Sequence, residues 1–146
     1  MLDANVAKRL GQLVGRTIWQ IRVDNEFTLA FLRQLGDEPQ VPDLRLAVGG
    51  SFTYVEPDGT AHDRDYDLAT LGPALRMFGQ VVTTVSLSEA GDLMIELEND
   101  SKLVVPVDPH YEPWRLWEPG GPTLSAPPGG GQPRWPTSER RHTRGG

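Results

Sequence analysis

The feature that most constrains this fold is an alternation of apolar and polar residues with a period of two. It recurs in four short segments, at residues 27–31, 44–48, 93–97 and 103–107. Such alternation is typical of β-strands that bury one face. Short strands with tight connections favour antiparallel meanders. The sequence therefore predicts a mostly β fold.

These strand segments fall into two sets that resemble each other. Residues 13–21 and 77–85 both begin with an apolar pair and a glycine, and both continue as a β-rich strand. A helical stretch with apolar residues on one face precedes each set, at residues 4–13 and 67–78. Two explanations are open: an internal duplication, or chance reuse of a common β pattern. The shared element order and glycine position favour duplication.

The predicted fold class is α+β and mostly β, with short helices. Two duplicated units, each a helix followed by a three-strand antiparallel meander, would cover residues 4–56 and 67–118 and form one sheet sandwich or a partly open barrel. A single domain is expected over residues 1–118. Residues 119–131 are a partly ordered Pro/Gly-rich extension. Residues 132–146 are expected to be a disordered basic tail, because they have too little apolar surface to offset the entropy of ordering.

Charge is unevenly distributed along the chain. The net charge is −6, but residues 119–146 hold four arginines and one glutamate, a net +3, which leaves −9 on residues 1–118. An acidic body repels phosphate backbones, so we expect no nucleic-acid binding by the folded domain. No apolar run approaches the roughly 20 residues that span a bilayer, so no membrane association is expected. With no cysteine and no apolar signal segment at the start, a cytoplasmic location is predicted.

Aromatic and charged side chains are densest at residues 107–117. The three aromatic residues of this segment are spaced three apart, so a single helical turn would place them on one side. Two interpretations are open: the aromatics close one end of the fold, or they form a binding surface, since Tyr, Trp and Arg are enriched at binding hot spots. The predicted binding site consists of Asp108, His110, Tyr111, Glu112, Trp114 and Trp117.

A second candidate segment places one histidine and three aspartates close together in sequence. They are His62, Asp63, Asp65 and Asp67. This pattern suits the oxygen and nitrogen ligands of a metal ion. It equally suits a solvated edge strand whose charges discourage pairing with another chain. Because the segment has no calcium-loop glycine and no second histidine nearby, no metal site and no cofactor are predicted.

His110 lies close in sequence to Asp108 and Glu112 and could act as a general base. The sequence has no serine in a nucleophile elbow and no motif that would supply an oxyanion hole. The run of glycines at 129–131 is no phosphate-binding loop, because the lysine and the following serine or threonine are missing. The protein is therefore expected not to be an enzyme.

The C-terminal part resembles a signature found in a family of small uncharacterised actinobacterial proteins. That signature runs roughly D-x-x-Y-E-x-W, a Gly-Gly turn, a serine and a P-G-G run, and it is similar to residues 108–114, 120–121 and 125–131 here. The resemblance covers residues 10–131. The family has no established activity, so the resemblance implies no catalytic residue. Small proteins of this kind are often suspected to be immunity proteins for secreted toxins.

The function predicted from sequence is that of a non-enzymatic protein-binding module. An acidic body suits a basic protein partner, and by analogy the module would be an immunity-type inhibitor of a toxin. The predicted binding site would contact the partner, with the aspartates of residues 63–67 as neighbours. The alternative is a small metal- or ligand-dependent enzyme that uses His62, His110 and nearby carboxylates.

Overall fold

The computed structural model describes residues 2–33, 43–64 and 68–136. Two short 3-10 turns, Leu68–Leu71 and Pro73–Met77, lie between the fifth and sixth strands. The four alternating segments of the sequence correspond to the second, third, seventh and eighth strands. In chain order the regular elements are α1 (Ala4–Gly11), β1 (Thr17–Val23), β2 (Phe27–Leu32), β3 (Leu44–Val48), β4 (Phe52–Val55), β5 (Ala61–Arg64), β6 (Val82–Leu87), β7 (Leu93–Leu97), β8 (Lys102–Val105), β9 (Trp114–Trp117) and β10 (Leu124–Ser125).

Two five-stranded antiparallel sheets make up the fold of the described residues. The strand order is β1-β2-β3-β9-β10 in the first sheet and β5-β4-β8-β7-β6 in the second. Each sheet thus combines a three-strand meander from one half of the chain with a hairpin from the other half. The prediction of a mostly β, antiparallel fold is confirmed. Across the ranges that the structure describes, the strands do not close into a barrel.

The two sheets meet at one corner, where the start of β1 pairs with the residues leading into β6. Thr17 and Val81 form an isolated antiparallel bridge there. The amide of Ile18 donates to the carbonyl oxygen of Gln80 at 2.9 Å. The amide of Val82 donates to the carbonyl oxygen of Arg16, just before β1, at the same distance. This backbone pairing fixes the position of one sheet relative to the other.

A single apolar core lies between the inner faces of the sheets. The rings of Phe27 from the first sheet and Phe52 from the second are 4.7 Å apart. Helix α1 adds Val6 and Leu10, which are four apart and therefore share one face. Asp3 caps the helix by accepting hydrogen bonds from two amides of its first turn. Among the described residues no helix is long and apolar enough to cross a membrane.

Two segments that were predicted to be helical fold differently. The stretch at 67–78 forms two 3-10 turns where one helix was expected, since Pro73 has no amide to donate and interrupts the helical pattern. The aromatic segment does not form a helical turn, because its end is the strand β9. Side chains three apart in a strand point to opposite faces, so this difference changes where the aromatics lie.

The chain remains attached to the first sheet beyond the start of the predicted tail. Ser125 and Arg134 exchange two backbone hydrogen bonds of 2.9 and 2.7 Å. The guanidinium carbon of Arg9 lies 5.3 Å from the centre of the Trp135 ring, a cation–π contact with α1. The rest of the predicted tail, residues 137–146, lies outside the described residues.

Candidate functional site

The structure divides the three aromatic residues of the predicted binding site among three environments. Trp114 is fully buried in the core. Trp117 is half-buried on the outer face of the first sheet, because it is an odd number of positions from Trp114 along β9. Tyr111 lies in the loop before β9 and is 67% exposed. These three side chains therefore do not share one side.

The polar residues of the predicted site organise the loop that leads into β9. The carboxylate of Asp108 accepts hydrogen bonds from the amides of His110 and Tyr111, at 2.7 and 3.0 Å. This is an Asx turn, which holds a tight bend in place. The rings of His110 and Tyr111 meet edge to face at 6.4 Å, and Glu112 is exposed. Within the described chain no carboxylate is hydrogen-bonded to the His110 ring.

The other histidine of the alternative prediction belongs to a chain of side-chain contacts at the second sheet. Nε2 of His62 is 2.6 Å from Oε2 of Glu56. The other oxygen of that carboxylate accepts a hydrogen bond from the guanidinium of Arg76. Both carboxylate oxygens of Glu56 are therefore already engaged, one by His62 and one by Arg76. Asp65 and Asp67 lie outside the described residues.

The segment around His62 forms an edge strand in the structure. Strand β5 lies at the end of the second sheet and pairs with β4 alone. Asp63 accepts a hydrogen bond from the hydroxyl of Thr53 on β4 at 2.6 Å. In the part of the chain that the structure describes, no three His, Asp or Glu residues are grouped so that they could hold a metal ion. The edge-strand interpretation of this segment agrees with its position.

An aromatic pair that the sequence did not indicate stands out on the surface. The rings of Trp19 and Phe78 are stacked, with centroids 5.3 Å apart and planes 24° apart. Their exposed fractions are 49% and 51%. Leu75, one 3-10 turn before Phe78, is 47% exposed, and residues three apart in such a turn lie on the same side. We call Trp19, Phe78 and Leu75 the aromatic patch.

Backbone pairing at the corner between the sheets holds the aromatic patch in place. The amide of Gly79 donates to the carbonyl oxygen of Ile18 at 2.7 Å, so the residues next to Trp19 and Phe78 are joined directly. Gly79 has a φ of 86°, which favours glycine, and the reversal there leaves the Phe78 ring at the surface. The β1–β2 pairing is irregular between Ile18 and Gln20, so Trp19 has no direct pairing partner in β2. The two rings are thus presented from a rigid base.

Sequence reasoning assigned these aromatics to the repeated strand pattern and missed their exposure. One signal was available, because Ile18 and Trp19 are consecutive in a strand and only one of them can face the core. Phe78 was included among the apolar residues on the inner face of a helix that the structure does not contain. Stacking between residues 59 positions apart has no local signature in the sequence.

Comparisons with known proteins give a family but no activity. No curated protein and no solved structure matches this chain. The model of a family of unknown function, DUF6188, matches residues 10–135, which include every strand and the whole aromatic patch. The actinobacterial origin inferred from the C-terminal signature stays a prediction. Because that match spans most of the sequence, the chain belongs to the DUF6188 family of unknown function.

Proposed function

We propose that this protein is a non-enzymatic protein-binding module and that the aromatic patch contacts its partner. The observation that carries the proposal is the stacked, half-exposed pair of Trp19 and Phe78. Large aromatic side chains left at the surface mark interaction sites more often than scattered single apolar residues do. The non-enzymatic part of the proposal rests on the sequence, which has no nucleophile–base motif.

Rigidity supports a binding role for this patch. A partner that buries two rings already fixed by neighbouring backbone hydrogen bonds loses little side-chain entropy in the process. Tryptophan and phenylalanine also bring a large apolar area for few rotatable bonds. The patch therefore has the properties of a hot spot, a small group of residues that contributes most of the binding free energy.

The charge of the body indicates the kind of partner. Residues 1–118 carry a net −9, which favours encounter with a basic protein and disfavours nucleic acid. The partner we propose is a basic protein that inserts an apolar side chain against the two rings. A narrower form of the proposal is that this partner is a secreted toxin and that the module inhibits it. That form rests on charge and on the analogy drawn from the sequence.

We also infer that the two halves of the chain are duplicated units. The bridge between Thr17 and Val81 joins residues 64 apart, the same offset as the two glycine-containing segments. Both meanders have a register shift at the corresponding place, between Ile18 and Gln20 and between Val82 and Thr84. Two hairpins, β4–β5 and β9–β10, extend the sheet formed by the meander of the other half, and we call them the crossing hairpins. Both turn on the sequence Glu-Pro-x-Gly, at residues 56–59 and 118–121. These parallels support a unit of five strands, longer than the three-strand meander.

The proposed function is tested by affinity capture from the source organism with matched variants. The Trp19→Ser/Phe78→Ser double variant should lose a specific partner that the wild type retains, with an affinity loss of roughly 30-fold or more. Val14→Ser is the control, since Val14 is 48% exposed and precedes Gly15 as Phe78 precedes Gly79. Circular dichroism establishes that all variants are folded. Equal recovery by all three proteins, or no specific partner for the wild type, contradicts the proposal.

A further inference from the structure

A groove with a volume of about 300 Å³ lies on the outer face of the first sheet. This size is at the lower end of the range for small-molecule sites. Four strands contribute to it: β1, β2, β3 and β9. The groove is away from the core and has a floor of small side chains and walls of long ones. Its lining residues are Gln20, Arg22, Asp24, Glu26, Thr28, Ala30, Arg45, Arg115 and Trp117.

Small residues in the middle of the sheet create the floor. Ala30 alternates along β2 with the core residues Leu29 and Phe31, so its methyl group points outward. Thr28 lies two positions away on the same face and pairs with Ala47 of β3. Ala30 is nevertheless only 3% exposed, because the long side chains around it shield the floor from water. The floor is therefore apolar and sheltered.

The walls carry three guanidinium groups and two carboxylates, a net charge of +1 on an acidic body. Nε of Arg22 is 3.3 Å from the carboxylate of Asp24. Arg115 donates to Glu26 at 2.5 Å. The guanidinium of Arg45 has no ion pair or hydrogen bond with any described residue, so its donors are available to a ligand. Since the other two arginines are already neutralised, Arg45 is the principal site for an anion.

An aromatic wall stands beside the free guanidinium. Trp117 pairs with Arg45 across β9 and β3, so the two side chains are neighbours on the outer face. The guanidinium carbon of Arg115 lies 5.4 Å from the centre of the Trp117 ring, which helps to fix the ring orientation. A flat apolar group on the floor would contact Trp117 while an attached anion reached Arg45.

We propose that this groove binds a small aromatic monocarboxylate. Arginine presents paired N–H donors in a planar fork that matches a carboxylate. The excess of one positive charge matches one negative charge. A phosphate dianion would meet two carboxylates in the walls and the long-range field of an acidic body, which makes it the poorer fit. The site is separate from the aromatic patch, so it does not depend on the function proposed above.

The second sheet supplies a matched control position. Ala30 pairs with Arg45 in the first sheet, and Glu96 pairs with Lys102 at the corresponding place in the second. Lys102 is a partly exposed cation on an outer face, as Arg45 is, but the residues that line the cavity beside it include no aromatic side chain. A change at Lys102 alters the net charge of the protein as a change at Arg45 does, without touching the groove.

The test is titration of the full chain with phenylacetate, monitored by the NMR signals of the arginine Nε–H and tryptophan indole groups. Phenylacetate should shift the signals of Arg45 and Trp117. Arg45→Gln should weaken binding roughly tenfold, the effect of one charge-assisted hydrogen bond, and Lys102→Gln should leave it unchanged. Arg45→Gln removes no side-chain hydrogen bond or ion pair of the described residues, so the variant is expected to fold normally.

Three comparison ligands decide the chemistry. Phenylacetamide, which is neutral, and phenyl phosphate should bind more weakly than phenylacetate. A short peptide that ends in phenylalanine offers the same carboxylate from a different source, and tighter binding by the peptide would assign the site to a peptide terminus. Equal binding of phenylacetate and phenylacetamide overturns the proposal. So does an equal loss in the Arg45→Gln and Lys102→Gln variants, or the absence of any groove shift with phenylacetate.

Discussion

The two sheets have closely similar frameworks and very different outer faces. Each contains a three-strand meander extended by a hairpin, and each meander has a register shift near the start of its first strand. In the first sheet the central outward pair is Thr28 and Ala47, and in the second it is Met94 and Val104. Met94 and Val104 have larger side chains, which fill the region of the second sheet that corresponds to the groove of the first sheet.

This difference separates the residues that make the fold from those that distinguish one sheet from the other. The inward positions are apolar in both sheets, because both inner faces contribute to the same core. The outward positions carry no such constraint, and only in the first sheet do they combine a low floor with arginines and a tryptophan. A shared framework thus accommodates two surfaces with different chemistry.

The largest effect is expected at equivalent inward positions, where the sheets should behave alike. Leu29 and Ile95 are both buried on the middle strands of their three-strand meanders, and both pair with a leucine of the next strand. Leu29→Ala and Ile95→Ala should each lower the free energy of unfolding by about 2–5 kcal/mol, since each leaves a cavity in the core. Urea denaturation measures the loss. A loss below about 1 kcal/mol for one of the two variants would break the similarity of the inner faces.

The outer faces can be made more alike by introducing a larger side chain from the second sheet into the floor of the groove in the first sheet. Thr28→Met places the larger residue of the second sheet at the floor of the groove. Phenylacetate binding should fall by more than about tenfold, because the added side chain occupies the groove. The free energy of unfolding should change by less than about 1 kcal/mol, because Thr28 is partly exposed on the outer face. Undiminished binding by this variant would show that the floor does not create the site.

The contribution of the groove's charge to ligand binding can be measured by neutralising one wall carboxylate. Glu26→Gln removes the ion pair with Arg115 and raises the net charge of the groove to +2. Phenylacetate should then bind a few-fold more tightly, and the partly exposed pair should cost at most about 1 kcal/mol of stability. Glu96→Gln on the second sheet is the control for net charge. Isothermal titration calorimetry compares the two, and equal gains would indicate a long-range effect only.

The smallest effect is expected from a difference between the two crossing hairpins in the pH dependence of stability. The backbone amide of Thr60 donates to Asp58 at 2.9 Å and lowers the pKa of that carboxyl below its ordinary value of 3.8. Ionised Asp58 therefore contributes stability above pH 3.8, and this is lost as the pH falls through the lower folded-state pKa. The other hairpin has Gly120 at this position. Asp58→Asn should flatten the acid limb of the stability curve slightly, as measured by urea midpoints between about pH 5 and about pH 2. An unchanged acid limb would show that Asp58 does not contribute to the pH dependence of stability.

Much of the fold followed from patterns within single strands. Period-two alternation predicted β2, β3, β7 and β8, because one face of each strand is buried in a common core. The crossing of the hairpins was not predictable in this way, since β3 pairs with β9 about 70 positions later and that pairing leaves no local trace. The strand β9 itself was obscured by three aromatics spaced three apart, a pattern that also suits a helical turn.

The candidate sites were predictable only in part. Trp117 belonged to the predicted binding site, and in the structure it lines the groove. Its neighbours there come from strands distant in sequence, and the floor depends on Ala30 and Thr28, small residues that carry no functional signature. Trp114 was grouped with Trp117 although strand geometry separates them into core and surface. Contacts between distant segments, which the sequence does not record locally, define both the groove and the aromatic patch.

The hairpin exchange between the sheets has a consequence for how the molecule can be divided. Residues 2–64 contain five strands, yet they cannot complete either sheet, because β3 needs β9 and β4 needs β8. Neither half is therefore a self-sufficient folding unit, and the slow step of folding should be the closure of these distant pairs. The groove takes Arg45 from one half and Trp117 from the other. A ligand held there would report that the whole chain had assembled, and two separately expressed halves should acquire binding only when they are mixed.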